Sequence, residues 1–183
     1  PRSTLFPYTT LFRSVYKNYE GSGGFPVDSF INKALLAARF KTLKILFSQD
    51  INNESRVLMY RNITERVLKV APFLRLDSDP YLVVTEGKMK WIYDAYTVSD
   101  RFPYSQTIPR FGNYVRNSVK VVIDAYDGSM DFFISDPNDP IIQTWGKVFP
   151  ELFKELNEMS EDLRKHIRYP SDLFTIQAFI YAT

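Results

Sequence analysis

The chain predicts an α+β fold, because its apolar residues recur at helical spacing, then alternate, then return to helical spacing, and glycine turns divide the alternating part into two hairpins. Helices flanking an antiparallel sheet are the simplest arrangement of that order.

The lead-in, Tyr16 to Pro26, contains EGSGGFP and reads as flexible. A first helix follows with Asp28 or Ser29 as cap, its apolar stripe being Phe30, Ile31, Ala34, Leu35 and Ala38, through about Phe40. A short amphipathic stretch, LKILFS, comes next. Ser55 opens a third element with Met59, Ile63, Val67 and Val70 on one face, and Pro72 stops it. From Asp79 the period is two: YLVVT, Glu86-Gly87 and KMKWIYDAY form one hairpin, and SVKVVIDAY, Asp127-Gly128 and SMDFFIS form another. Between them DRFPYSQTIPRFGN is a long loop. Asp139 caps the next helix with Pro140 at its first position, where the missing N–H is harmless, and Ile141, Ile142, Trp145, Val148 and Phe149 make its stripe. Pro150 restarts a short helix through Leu156, Ser160 caps one carrying His166, and Ser171 caps a last one.

Residues 4–14, TLFPYTTLFRS, coincide with the translation of a common sequencing-adapter oligonucleotide. The expected organisation is therefore an adapter-derived artefact at 1–14, a flexible lead-in at 15–26 and a single α+β domain fragment at 27–183, internal to a larger protein.

With 45% hydrophobic and 16% aromatic residues the chain has ample material for a core. Lys and Arg number 23 against 21 Asp and Glu, spread without blocks, so a nucleic-acid partner is not expected. Having no cysteine excludes disulfides, thiolate nucleophiles and Cys-ligated zinc, and having one histidine excludes paired-His metal sites. No Walker, dinucleotide or G-x-S-x-G pattern is present, and no cofactor is expected.

Asp94 and Asp124 stand out, each sitting in an otherwise apolar strand, where alternation places Asp94 with Ile92 and Tyr96 and Asp124 with Val122 and Tyr126. A buried carboxylate needs a partner, and Arg116 and Lys120, on one face of the intervening strand with Ser118 between them, are the cations at hand. That reading is structural, with Arg116 and Lys120 as binding residues. The chemical alternative uses Asp94 and Asp124 as a general acid and base, as a cell-envelope hydrolase needs. His166 reads either as a proton shuttle or as a partner for helix-end carbonyls. Asp77 and Asp79, flanking Ser78, have the spacing for a calcium ion or for an ordinary turn before Pro80.

Several motifs together carry a family resemblance: APFL at 71–74, Asp79-Pro80-Tyr81, Trp91 with DAYT at 94–97, Pro103-Tyr104-Ser105, NYVRNSVK at 113–120, DAYDG at 124–128, Phe149-Pro150 and HIRYPSDLF at 166–174. In this order, from about Gly24 to the end, they resemble uncharacterised protein family 0182, large bacterial integral membrane proteins of unknown function. The resemblance implies transmembrane helices near the parent's N-terminus and a long soluble region outside the cytoplasm. On it, this chain is expected to be a non-catalytic binding or scaffolding part of that extracytoplasmic region, with an envelope ligand or protein as partner and membrane attachment through segments absent here.

Overall fold

The computed structural model describes residues 19–48 and 51–182. The 4–14 segment expected to be adapter-derived lies outside the described residues. The chain divides into two compact units, one ending at Val57 and the other running Leu58–Thr183, a division inside the span 27–183 that the sequence reads as one domain.

In the first unit β1 (Phe25–Pro26) pairs antiparallel with β2 (Arg56–Val57). Ser29 caps α1 (Phe30–Phe40), its hydroxyl accepting from Asn32 N at 3.2 Å, and Lys41 ends the helix in the left-handed conformation, φ 53°. A single turn, α2 (Lys44–Phe47), follows. The inward face of α1 is that of Leu36 and Ala37, whereas Phe30, Ile31 and Leu35 of the expected stripe face outward. Ser55 does not open a helix. Its hydroxyl donates to Asn52 Oδ1 at 2.9 Å, and its carbonyl accepts from Val27 N.

The second unit is built on a six-stranded mixed sheet. Its strands are β3 (Arg75–Leu76), β4 (Tyr81–Thr85), β5 (Lys88–Ser99), β6 (Tyr114–Asp124), β7 (Met130–Ile134) and β8 (Phe153–Glu155). Both expected hairpins are present, β4–β5 and β6–β7, and β5 pairs with β6 to join them. The sheet is larger than two hairpins: β3 shares the outer edge of β5 with β4, and β8 lies parallel to β7. Thus the helix expected from Pro150 to Leu156 is instead a turn into β8, because Phe153 to Glu155 complete the exposed ladder of β7, and tertiary pairing overrides local preference.

Both turns need positive φ. Glu86 (51°) and Gly87 (73°) close β4–β5 as a two-residue turn with left-handed geometry at both positions, which matches the twist of the strands. The second turn is longer than Asp127-Gly128. The last paired residues are Ile123 and Met130, and Asp124 Oδ1 accepts from Tyr126 N and Asp127 N to hold the loop. Gly128, at φ 74°, packs against Arg66, and a Cβ there would meet Cζ of that side chain at 2.7 Å.

Helices cover both faces. On one, α3 (Ile63–Val70) and α4 (Pro140–Val148) set Val67, Ala71 and Ile142 against Tyr93, Ala95, Val119, Val121, Ile123 and Phe132. Trp145 is half-buried at that core's margin, its indole stacked on Phe73 at 4.0 Å. On the other, α5 (Glu161–Arg164) places Leu163 with Met159 against Ile92, Val122 and Phe133, and α6 (Ser171–Tyr181) places Ile176 against Tyr96 and Phe111. The third helix is shorter than expected: Asn62 caps it, accepting from Glu65 N at 3.2 Å, and Tyr60, at φ 53°, precludes an earlier start. Among the described residues no helix is long and apolar enough to cross a membrane.

Two substitutions check this packing. Gly87→Ala carries only the positive-φ penalty of about 1–2 kcal/mol, because nothing lies near its Cβ, whereas Gly128→Ala must also displace Arg66. The thermal midpoint is therefore expected to fall further for Gly128→Ala, and equal midpoints would contradict the packing. Trp145→Ala is expected to cost about 3 kcal/mol by urea denaturation, the lower end for a large aromatic because the indole is half-buried.

Candidate functional site

The polar side chains with chemical potential gather in three buried clusters around the β5–β6 pair, and a β-bulge decides which belongs to which. Ala95 faces Val119 and Thr97 faces Arg116, so Asn117 and Ser118 together oppose Tyr96. The extra residue resets the alternation. Ser118, Arg116 and Tyr114 emerge on the α4 side, while Lys120 remains on the α6 side.

This separates two residues that strict alternation places together. Arg116 reaches Asp136 at 2.8 Å in the loop before α4, half-exposed, while Lys120 forms a buried ion pair with Asp94, directly opposite it in the ladder. The expected pairing of a strand aspartate with one of these cations is present, but through Lys120, not Arg116. Lys120 and Asp94 are 5% and 2% exposed. Burial pushes the Asp94 carboxyl above its usual value, and Lys120 and Asn117 pull against that shift without cancelling it.

On the α4 side Asp139 is 0% exposed. Its Oδ2 accepts from Thr97 Oγ1 at 2.5 Å, Ser118 Oγ at 2.7 Å and Ile142 N at 3.3 Å, and its Oδ1 from Tyr114 at 2.6 Å and Ile141 N at 3.1 Å. Burial alone raises a carboxyl, but the hydrogen bonds from Thr97, Tyr114, Ser118 and Ile141 outweigh it and hold Asp139 below the usual range. The phenol of Tyr114 is correspondingly pushed up to about 12, by burial first and then by Asp139. One side chain thus caps α4 and clamps both central strands.

Asp77, 2% exposed, plays the matching part for α6. Pro170 precedes that helix and has no capping side chain, so Ser171 is its first residue, not its cap. Asp77 supplies the acceptor from elsewhere in the chain: Oδ2 takes Asp172 N at 3.0 Å and the Tyr96 hydroxyl, and Oδ1 takes Asp79 N at 2.9 Å. In return Asp172 accepts from Ser78 N at 3.0 Å and Ser78 Oγ at 2.6 Å. The HIRYPSDLF stretch is therefore an anchor to residues 77–81, reinforced where Arg168 N donates to the Tyr81 hydroxyl at 3.0 Å. Asp79 is exposed, and among the described residues no three or more His, Cys, Asp or Glu side chains gather to hold a metal ion. The helix expected to carry His166 ends before it, at Arg164, and His166 lies in the turn after α5, its backbone N–H donating to Leu163 O at 3.1 Å.

Asp124 shares the parity of Val122, as alternation puts it, but not the neighbourhood of Asp94. It is the last residue of β6 and faces Lys90, so it stands four ladder positions from Asp94, about 13 Å along the strands at ~3.3 Å per residue. That exceeds the roughly 5–9.5 Å between the carboxyl groups of glycoside hydrolases. Asp124 instead lines a cavity of about 170 Å3 with Arg66, Trp91 and Tyr126. Asp139 was legible as a helix cap, but Asp77 only as a calcium candidate or a solvated neighbour of the turn, and it is buried instead, since spacing alone does not reveal which acceptors a fold buries.

Removing one partner of the buried pair leaves the other's desolvation uncompensated. Lys120→Met is expected to cost about 3–5 kcal/mol, and adding Asp94→Asn is expected to recover much of it. Equal losses in the single and double variants, by urea denaturation, would contradict the pairing. For Asp139 the folded pKa lies below its ordinary 3.8, so its stabilisation is complete above about pH 4 and disappears as pH falls through the depressed value. Between about pH 4 and 2 the urea midpoint of Asp139→Asn is therefore expected to fall less steeply than that of the parent chain. Parallel slopes would contradict the assignment.

Comparison with known proteins agrees with the motifs. The model of the Uncharacterised protein family (UPF0182) matches residues 3–183, a range that begins upstream of the motifs and takes in 4–14. A UPF0182 protein of Geotalea uraniireducens is 57% identical over 178 residues, covering 97% of this chain and 20% of the relative. One of Pelobacter propionicus is 56% identical over 179 residues, with coverages of 97% and 20%, and one of Synechococcus is 50% identical over 177, with 96% and 21%. The chain thus spans about a fifth of the length of the curated relatives it matches. No solved structure matches it. At this identity, over nearly its whole length, the chain belongs to the Uncharacterised protein family (UPF0182).

Proposed function

We propose that this chain is a non-catalytic binding or scaffolding part of the extracytoplasmic soluble region of a bacterial integral membrane protein, held at the membrane by segments outside it. The observation that carries the non-catalytic reading is the engagement of the buried carboxylates. Asp77, Asp94 and Asp139 are each held by donors of their own fold, in caps or in an ion pair. The roughly 13 Å between Asp94 and Asp124 supports the same reading against a hydrolase built on that pair. Placement outside the cytoplasm rests on the family resemblance.

Co-sedimentation of the purified chain with isolated bacterial envelope polymers, with reducing ends assayed in the same tubes, tests both halves. Retention on a polymer without release of reducing ends is the expected outcome. Release that Asp94→Asn or Asp124→Asn abolishes would replace the binding reading with the hydrolase.

A further inference from the structure

The cavity under the β6–β7 turn is lined by a cation and a carboxylate, Arg66 and Asp124. Arg66 Nε is buried and has no hydrogen-bond partner, which a native fold rarely tolerates because the unmet donor keeps its desolvation cost. The guanidinium is held in place. Its Nη1 donates to Met59 O at 3.2 Å and to Tyr60 O at 3.4 Å, and its plane packs on Gly128, where no Cβ intrudes. Asp124 lines the same cavity, and its turn-holding bonds use Oδ1 alone, leaving Oδ2 as an acceptor. Opposite charges meeting one cavity normally pair, yet among the described residues no ion pair joins Arg66 to Asp124.

The rest of the lining narrows the ligand. Trp91 and Tyr126 bring aromatic surface and Ile123 an apolar floor, while Arg61 and Asp127 add one charge of each sign at the rim. With cations and carboxylates balanced, neither a simple anion nor a simple cation is favoured. A group that both donates and accepts, attached to an apolar ring edge, satisfies all of these features. Hydroxyls on a sugar ring have that character, each able to accept from Arg66 and donate to Asp124. At about 170 Å3 the space is below the ~300–1,000 Å3 of ordinary small-molecule sites, so it holds one ring and not an oligomer.

We propose that this cavity is a saccharide-binding site that takes a single ring of a glycan, with Arg66 and Asp124 as the hydroxyl contacts and Trp91 and Tyr126 as the aromatic walls. The proposal rests on the binding reading above and names the ligand class for it.

The chain has two tryptophans, and they make the test internal. Trp91 lines the cavity, while Trp145 is stacked on Phe73 elsewhere, so in a proton–nitrogen correlation spectrum of the full 183-residue chain the two indole signals report site and control. The probes are glucose, N-acetylglucosamine, glucuronate and inorganic phosphate, each to about 50 mM, well above a millimolar dissociation constant. The expected result is a saturable shift of the Trp91 signal with at least one of the neutral sugars while Trp145 stays fixed. Asp124→Asn retains Oδ1 for the turn but replaces the Oδ2 acceptor with a donor, and is expected to weaken binding at least about tenfold. Tyr126→Ala, at an exposed residue, provides a second variant with the same expected direction. No shift with either neutral sugar, a response to phosphate alone, or binding indifferent to both variants would overturn the assignment. Polymer retention without any sugar response would remove this site and leave the binding reading standing, whereas loss of both would remove both.

Discussion

One extra residue in β6 governs how the second unit is organised. Without the bulge opposite Tyr96, strict alternation carries Arg116 and Tyr114 to the α6 side of the sheet, away from Asp136 and Asp139. With it, the central strand pair presents hydroxyls and a phenol to the cap of α4 on one face and a lone ammonium to Asp94 on the other. A sheet covered on both faces has few places where polar groups can be buried safely. Here the bulge sorts them, so each finds a partner on the face where it emerges.

The partners also do more than satisfy one another. Asp139 joins a helix start to two strands, and Asp77 joins the start of α6 to Tyr96 in β5 and, through Ser78 and Asp172, to the chain before β4. Helix N-termini have free N–H groups and a positive dipole end, and burying a carboxylate there offsets its desolvation with several short hydrogen bonds. The three layers are therefore tied by acceptors at their interfaces as well as by apolar contact. Asp124, by contrast, holds only its own turn and lines a cavity.

Much of this was legible in the sequence, for identifiable reasons. Period-2 runs bounded by Glu86-Gly87 and Asp127-Gly128 gave both hairpins, and Asp139-Pro140 gave the start of α4, because turn and cap chemistry is local. Asp94 was recognisable as a buried charge in need of a cation, since it sits among Ile92 and Tyr96. What pattern could not show is long-range: the parallel addition of β8, the docking of β3 beside β4, and the bulge, which moves Arg116 and Lys120 to opposite faces with no local signal in NYVRNSVK. The cavity was hidden too. It depends on Arg66 of a helix meeting a turn about sixty residues later, where Gly128 has no side chain to keep it out.

The bulge is the feature to measure. Cross-strand nuclear Overhauser contacts in the isotope-labelled chain are expected to link Ala95 to Val119 and Thr97 to Arg116, with Asn117 and Ser118 sharing Tyr96. Contacts linking Thr97 to Asn117 and Tyr96 to Ser118 in unbroken register would contradict it, and with it the division of Arg116 and Lys120 between the two faces.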